Sequence, residues 1–151
     1  MWFVKKNKDN TPKLLEINAG EARSLVNSYV DQINKDGIEY DKLVSRILNS
    51  PYLDKSFSDI INMIMRRISV DASTFGKECT QISYEIISKY IDDKSPIHKY
   101  TRYLLDRGDT IIDSYAYIVK EYLSKDLGFT VSYSMNYEDD KILNIGWKEK
   151  D

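Results

Sequence analysis

In 151 residues the chain has one cysteine, one histidine and three prolines. A lone cysteine, Cys79, excludes an internal disulfide and agrees with a reducing compartment. A lone histidine, His98, excludes a histidine cluster around a metal and a second imidazole for a proton relay. The six glycines, Gly20, Gly37, Gly76, Gly108, Gly128 and Gly146, stand apart from one another, so no glycine-rich loop cradles a phosphate or dinucleotide. No run of about 18 apolar residues exists, which excludes a transmembrane helix. The opening Met1-Trp-Phe-Val-Lys-Lys places apolar before basic residues, the reverse of a secretory signal. A strong charge of one sign is missing too. The net charge is −2; residues 1–70 carry 11 basic and 9 acidic side chains, residues 71–151 carry 11 and 15. That is neither the concentrated positive field of a nucleic-acid binder nor the dense negative field of a DNA mimic. The expectation is a cytoplasmic protein without membrane, metal or cofactor.

What is present suits one soluble α+β domain spanning 1–151. The chain is 42% apolar and 30% charged, and at this length folding buries about two-thirds of the unfolded surface. Near the C-terminus, Ile111, Ile112, Tyr115, Ile118, Val119, Tyr122 and Leu123 form one helical stripe over 109–127, stopped by Gly128. Phe129 to Trp147 then alternates as a β-hairpin, with Phe129, Val131, Tyr133, Met135 and Tyr137 on one face and Thr130, Ser132, Ser134 and Asn136 left for solvent. A lone hairpin is marginal in water. The patches Trp2–Val4 and Leu14–Ile17 flank a turn-rich Lys6–Pro12; they form a loose hairpin or, preferably, lend a strand to the C-terminal sheet.

Between these ends the periodicity predicts a bundle of about six helices. Asn18 and Glu21 make a capping box before the stripe Ala22, Leu25, Val26, Tyr29, Val30 and Ile33, which Gly37 should end. Residues 40–48 form a second, shorter helix, halted by Asn49-Ser50-Pro51. Phe57, Ile60, Ile61, Met63, Ile64, Met65 and Ile68 cover more than one stripe, marking 57–68, capped from Ser56, as the central helix. Residues 77–91, 96–107 and 110–127 read as three antiparallel helices, the last capped by Asp109.

No set of residues spells an enzyme. Cys79 reads as a buried structural cysteine rather than a nucleophile paired with His98, and His98 as a surface residue. Glu138, Asp139 and Asp140 read as a solvated turn, since the pattern of a calcium loop is absent. Arg107-Gly108-Asp109 spells a cell-adhesion tripeptide but sits where one helix stops and the next starts. A modest basic patch from Arg66, Arg67, Lys5, Lys6, Lys8 and Lys13 offers a nucleic-acid regulator as the alternative function, although a helix C-terminus explains the arginine pair without a ligand. Tyrosine is the anomaly. Of twelve, nine fall between residues 84 and 137, and Tyr84, Tyr103 and Tyr117 fall off the apolar stripes. Tyrosine is enriched at protein interfaces because it joins apolar area to a polar tip. These three are the candidate partner-binding residues, facing a host protein, a ribonucleoprotein or a second copy in a homodimer.

Leu127-Gly128-Phe129-Thr130-Val131 followed by Lys141-Ile142-Leu143-Asn144-Ile145-Gly146-Trp147 resembles the ends of small phage-encoded accessory proteins, over residues 115–147. The Lys/Asn/Ile/Tyr/Asp-rich composition resembles mobile elements of low-GC Gram-positive bacteria or poxviruses. The first resemblance implies a non-enzymatic protein that occupies a host macromolecule, such as a component of a restriction or CRISPR system. In length, helicity and a central apolar helix the chain is also similar to viral Bcl-2-like decoys. It lacks their Asn-Trp-Gly-Arg type of motif, and a terminal hairpin does not belong to that fold.

Overall fold

The computed structural model describes residues 5–6 and 12–149, with side chains from Leu14 to Glu149. The Trp2–Val4 patch and most of the Lys6–Pro12 turn lie outside the described residues. The chain divides into two compact units, Met1–Lys35 and Asp36–Asp151.

In the first unit, β1 (Lys5–Lys6) pairs antiparallel with β2 (Pro12–Lys13), Lys5 opposite Lys13. The N-terminal strands therefore pair with each other and do not join the C-terminal sheet, contrary to the preferred expectation. Helix α1 (Ala19–Asn49) starts here. Asn18 Oδ1 accepts from the Glu21 backbone N–H at 2.8 Å, and Asn18 Nδ2 donates to Glu21 Oε1 at 2.9 Å. That is the expected capping box. Leu25, Val26, Tyr29 and Val30 are exposed, so this half of the α1 stripe is not core.

In the second unit α1 runs through Gly37 to Asn49 without a break, merging the two helices expected there. Gly37 keeps a negative φ among the described residues and is buried. It is small because the Tyr103 ring occupies the space of its absent Cβ, which would lie 2.7 Å from Tyr103 Cε1. Tyr40, Val44 and Ile47 are buried. A 3-10 turn at Pro51–Leu53 leads to α2 (Lys55–Ser73), which buries Phe57, Ile60, Ile61, Met63 and Ile64 as the central helix should. Its cap is Asp54, not Ser56: Asp54 Oδ1 accepts from the Phe57 N–H at 3.1 Å.

The largest departure is at 77–91. Cys79–Ser83 is a strand, β3, and only Tyr84–Ser88 is helical, as α3. A 3-10 turn at Pro96–Tyr100 precedes α4 (Thr101–Asp106), which buries Leu104 but leaves Leu105 exposed. Helix α5 (Ile111–Glu121) ends in a π turn, Tyr122–Asp126. Its cap is Thr110, not Asp109, reciprocated by Asp113. Gly128, at φ 77°, closes the helix, with the Phe129 N–H donating to the Leu123 carbonyl at 2.9 Å.

β4 (Thr130–Met135) and β5 (Lys141–Gly146) form the expected hairpin, and the sheet order is β3-β5-β4, all antiparallel. The third strand comes from the middle of the chain. With a neighbour on each side, β5 buries Leu143 and Ile145 completely. The architecture is α+β, with five α-helices among the described residues and a three-stranded antiparallel sheet.

Buried polar groups tie the layers together. Tyr115 on α5 donates to Asp54 Oδ2 at 2.8 Å and shares a hydrogen bond with Ser95. Burial first, and the Asp54 carboxylate besides, push the Tyr115 phenol well above its usual pKa. Tyr40 and Ser114 hydroxyls meet at 2.5 Å. Each of these polar groups is satisfied inside the protein, which removes the desolvation penalty of burying it.

Candidate partner-binding surface

Helix α5 turns one side to the core and presents Asp113, Tyr117, Lys120 and Glu121 on the other, at the i, i+4, i+7, i+8 spacing of a single face. Tyr117 is 45% exposed along that ridge. Two hollows flank it. On one side a groove of about 500 Å³ is lined by Tyr40, Val44, Arg107, Tyr117, Glu121 and Lys125. On the other a cleft of about 350 Å³ is lined by Tyr84, Tyr133, Ser134, Met135 and Lys141.

Local chemistry holds both hollows in place. In the groove, the Arg107 guanidinium lies 5.2 Å from the centroids of the Tyr40 and Tyr103 rings, donates to Asp109 Oδ2 at 2.6 Å and to Tyr103 Oη at 3.1 Å. Burial would lower the Arg107 pKa, but the Asp109 and Tyr103 contacts outweigh it and raise it. Arg107 and Asp109 are thus engaged with each other across the turn between α4 and α5. In the cleft, Lys141 Nζ bonds Asp113 Oδ1 at 3.0 Å and lies 5.7 Å from the Tyr84 ring centroid, while Lys120 Nζ sits 4.9 Å from that of Tyr133. Burial is the first cause raising the phenol pKa of Tyr84 and of Tyr133; the Asp113 carboxylate adds to it at Tyr84 and the Glu121 carboxylate at Tyr133. Both remain neutral donors at physiological pH.

The candidate tyrosines therefore differ. Tyr117 is exposed; Tyr84 and Tyr103 are half-buried and packed against the core, Tyr84 lining the cleft and Tyr103 covering Gly37. The face expected to be spent on the helix is only partly so. Val131 and Phe129 pack on the core, whereas Tyr133 is 46% and Met135 59% exposed, and Tyr137 is fully exposed. Sequence periodicity missed these because β4 is an edge strand, at the margin of the sheet and not at its centre. The signal available was the position of Tyr137 at the hairpin tip, beyond any partner strand.

Other sequence candidates fall elsewhere. Arg66 and Arg67 are exposed, but α2 continues to Ser73, so they are not in its last turn as supposed. Arg67 lines a separate cleft of about 440 Å³ with Asp71, Lys77, Cys79, Thr80 and Gln81. The side chains of Lys5, Lys6 and Lys13, and all of Lys8, lie outside the described residues. Cys79 is exposed rather than buried, because it opens an edge strand on the outer sheet face. His98 is on the surface, its Nε2 3.0 Å from the Asp92 carbonyl. The acidic hairpin tip is a turn organised by Asn136, whose Oδ1 accepts from the Glu138 and Asp140 N–H groups at 2.9 and 3.0 Å. Among the described residues no group of three or more His, Cys, Asp or Glu side chains is arranged to hold a metal ion. None of their helices is long and apolar enough to cross a membrane.

Fold and surface together define an α+β protein with an aromatic, mixed-charge face built on α5 and β4. Compared with protein-family models, with curated proteins and with solved structures, the chain matches none.

Proposed function

We propose that this is a non-enzymatic protein-binding accessory protein, carried by a phage or mobile element, that acts by occupying a host protein or ribonucleoprotein such as a defence component. The observation that supports this reading is the exposed run Tyr117, Tyr133, Met135 and Tyr137 beside two hollows. Aromatic and methionine side chains exposed together, with Lys120 over the Tyr133 ring and Lys125 further along the same helix, have the composition of an interface centre with polar residues beside it. Tyr84 and Tyr103 contribute by holding the hollows open rather than by direct reach, so the binding residues are Tyr117 and Tyr133 first.

The test is capture of a defined partner from a lysate of a low-GC Gram-positive bacterium, repeated with variants. Tyr117→Ala with Tyr133→Ala should weaken capture at least tenfold, as loss of two aromatic anchors does. Tyr52→Ala, which removes an exposed tyrosine far along the chain, should leave it unchanged. Equal capture by all variants overturns the assigned face.

A further inference from the structure

β4 is an edge strand whose six residues, Thr-Val-Ser-Tyr-Ser-Met, carry no charge and no proline. Natural edge strands are usually blunted by lysine, proline, a bulge or a covering element, because an open edge is a template for another strand. β4 has none of the first two, and its register with β5 runs without interruption from Thr130 to Met135. The direction of its free groups follows from the turn. The Asn136 N–H donates across to the Asp140 carbonyl at 3.0 Å, so the hydrogen-bonded pairs of this hairpin fall on the even-numbered residues of β4. Val131, Tyr133 and Met135 then turn their N–H and C=O groups to the open edge.

We infer that β4 pairs antiparallel with β4 of a second copy, joining two three-stranded sheets into one of six strands. The occupant is a second copy because the strand is complementary to itself in one register. With Tyr133 opposite Tyr133 on the two-fold axis, Val131 faces Met135 of the second copy, and all three outward-pointing residues of each strand form hydrogen-bonded pairs. Val131, Tyr133 and Met135 share the sheet face of Leu143 and Ile145, so the apolar row continues across the junction. On the outer face Ser132 meets Ser134 of the second copy, small polar against small polar. Charge also selects the direction. Antiparallel pairing keeps the two acidic tips, each Glu138, Asp139 and Asp140, at opposite ends of the junction; parallel pairing would stack them. Pairing one short edge covers on the order of 500 Å² per copy, the low end for specific association, so the dimer is a weak one, populated at high protein concentration. This inference rests on the β4 backbone and not on the proposed host-protein function.

Light scattering of the full chain should give the 17.7 kDa monomer at low concentration and approach twice that mass at about 1 mM. Ser132→Lys with Ser134→Lys sets like charges directly opposite across the junction, on side chains exposed in the monomer, and should shift dissociation at least tenfold weaker. Ser132→Lys with Ser134→Asp sets opposite charges there and should restore or tighten the dimer. Hydrogen exchange gives an independent reading: amides of Val131, Tyr133 and Met135 should slow with rising concentration, while those of Ser132 and Ser134 stay protected throughout. A monomeric wild type at the highest concentration, or a dimer indifferent to both charge variants, overturns the inference.

Discussion

A Cβ at position 37 would lie 2.7 Å from Cε1 and 3.2 Å from Cζ of Tyr103. The Arg107 guanidinium lies 5.2 Å from the ring centroid, and the ring packs on Tyr40 with centroids 5.4 Å apart. Two effects oppose each other in Gly37→Ala. Helix propensity favours alanine by about 1 kcal/mol, whereas forcing a ring out of a packed position costs about 1–3 kcal/mol. The second wins because Tyr103 cannot move without breaking its hydrogen bond from Arg107. Gly37→Ala should lower stability by about 1 kcal/mol, or roughly 2–4 °C in thermal midpoint. Gly37→Ala made in a Tyr103→Leu background should be neutral or stabilising, since the propensity term then acts alone. A gain in midpoint from Gly37→Ala alone would refute the close-approach account. Tyr115→Phe tests the buried network in the same way. Removing the hydroxyl strips the Asp54 carboxylate of a donor and should cost about 1–3 kcal/mol, whereas Tyr117→Phe on the exposed ridge should stay within about 0.5 kcal/mol.

Among the elements, those whose signals are local were legible. Asn18 with Glu21, Gly108 and Gly128 gave true helix boundaries, and the alternation of 129–147 gave a true hairpin, because caps and pleats depend on neighbours a few residues away. The two largest errors share one cause: a tertiary partner overrode a local rule. Gly37 reads as a stop, yet Tyr103, 66 positions along the chain, makes glycine necessary inside a helix. Residues 79–83 read as helix because Ile82, Ile86 and Ile87 fit a helical stripe, yet β5 offers the Ile82 segment a ladder opposite Leu143. Of the proposed binding face, Tyr117 was legible from helical spacing, while Tyr133 and Met135 were not, since exposure of a strand face depends on tertiary packing and not on its alternation. Asp113 shows how the start of α5 is tied both to its own cap and to β5. It accepts from the Thr110 backbone N–H at 2.9 Å and from Lys141 Nζ at 3.0 Å. Burial opposes ionisation, but the Thr110 and Lys141 contacts prevail and hold its pKa below the ordinary 3.8. A depressed folded pKa means the stabilisation is complete above the unfolded value and is lost as pH falls through the folded one. Asp113→Ala should therefore cost about 0.5–2 kcal/mol at neutral pH, and the difference from wild type should shrink below about pH 4 in denaturant titrations. A pH-independent difference would show that the carboxylate charge contributes nothing.

For the whole molecule, the burial pattern along α1 sets two levels of stability within a single helix. From Ala19 to Val30 every residue is exposed, while Gly37, Tyr40, Val44 and Ile47 are buried. An isolated helical stretch of about twelve residues is marginal in water, because nucleation is unfavourable and propagation adds little per residue. The first half of α1 gains its order from continuity with the second half and from the Asn18 cap, not from packing of its own stripe. Native-state hydrogen exchange should therefore divide α1. Amides of 23–31 should exchange through local opening, with free energies of about 0–3 kcal/mol, whereas those of 41–49 should approach the global unfolding value along with α5 and β5. The same measurement bears on function. The exposed stripe Leu25, Val26, Tyr29 and Val30 is an apolar surface of the first unit, whereas α5 and β4 belong to the second. If the captured host partner protects the amides flanking Tyr117 and Tyr133 and leaves 23–31 unchanged, the binding face is the one on α5 and β4. Protection confined to 23–31 would move the binding site to the first unit and leave the α5–β4 face without a role in capture.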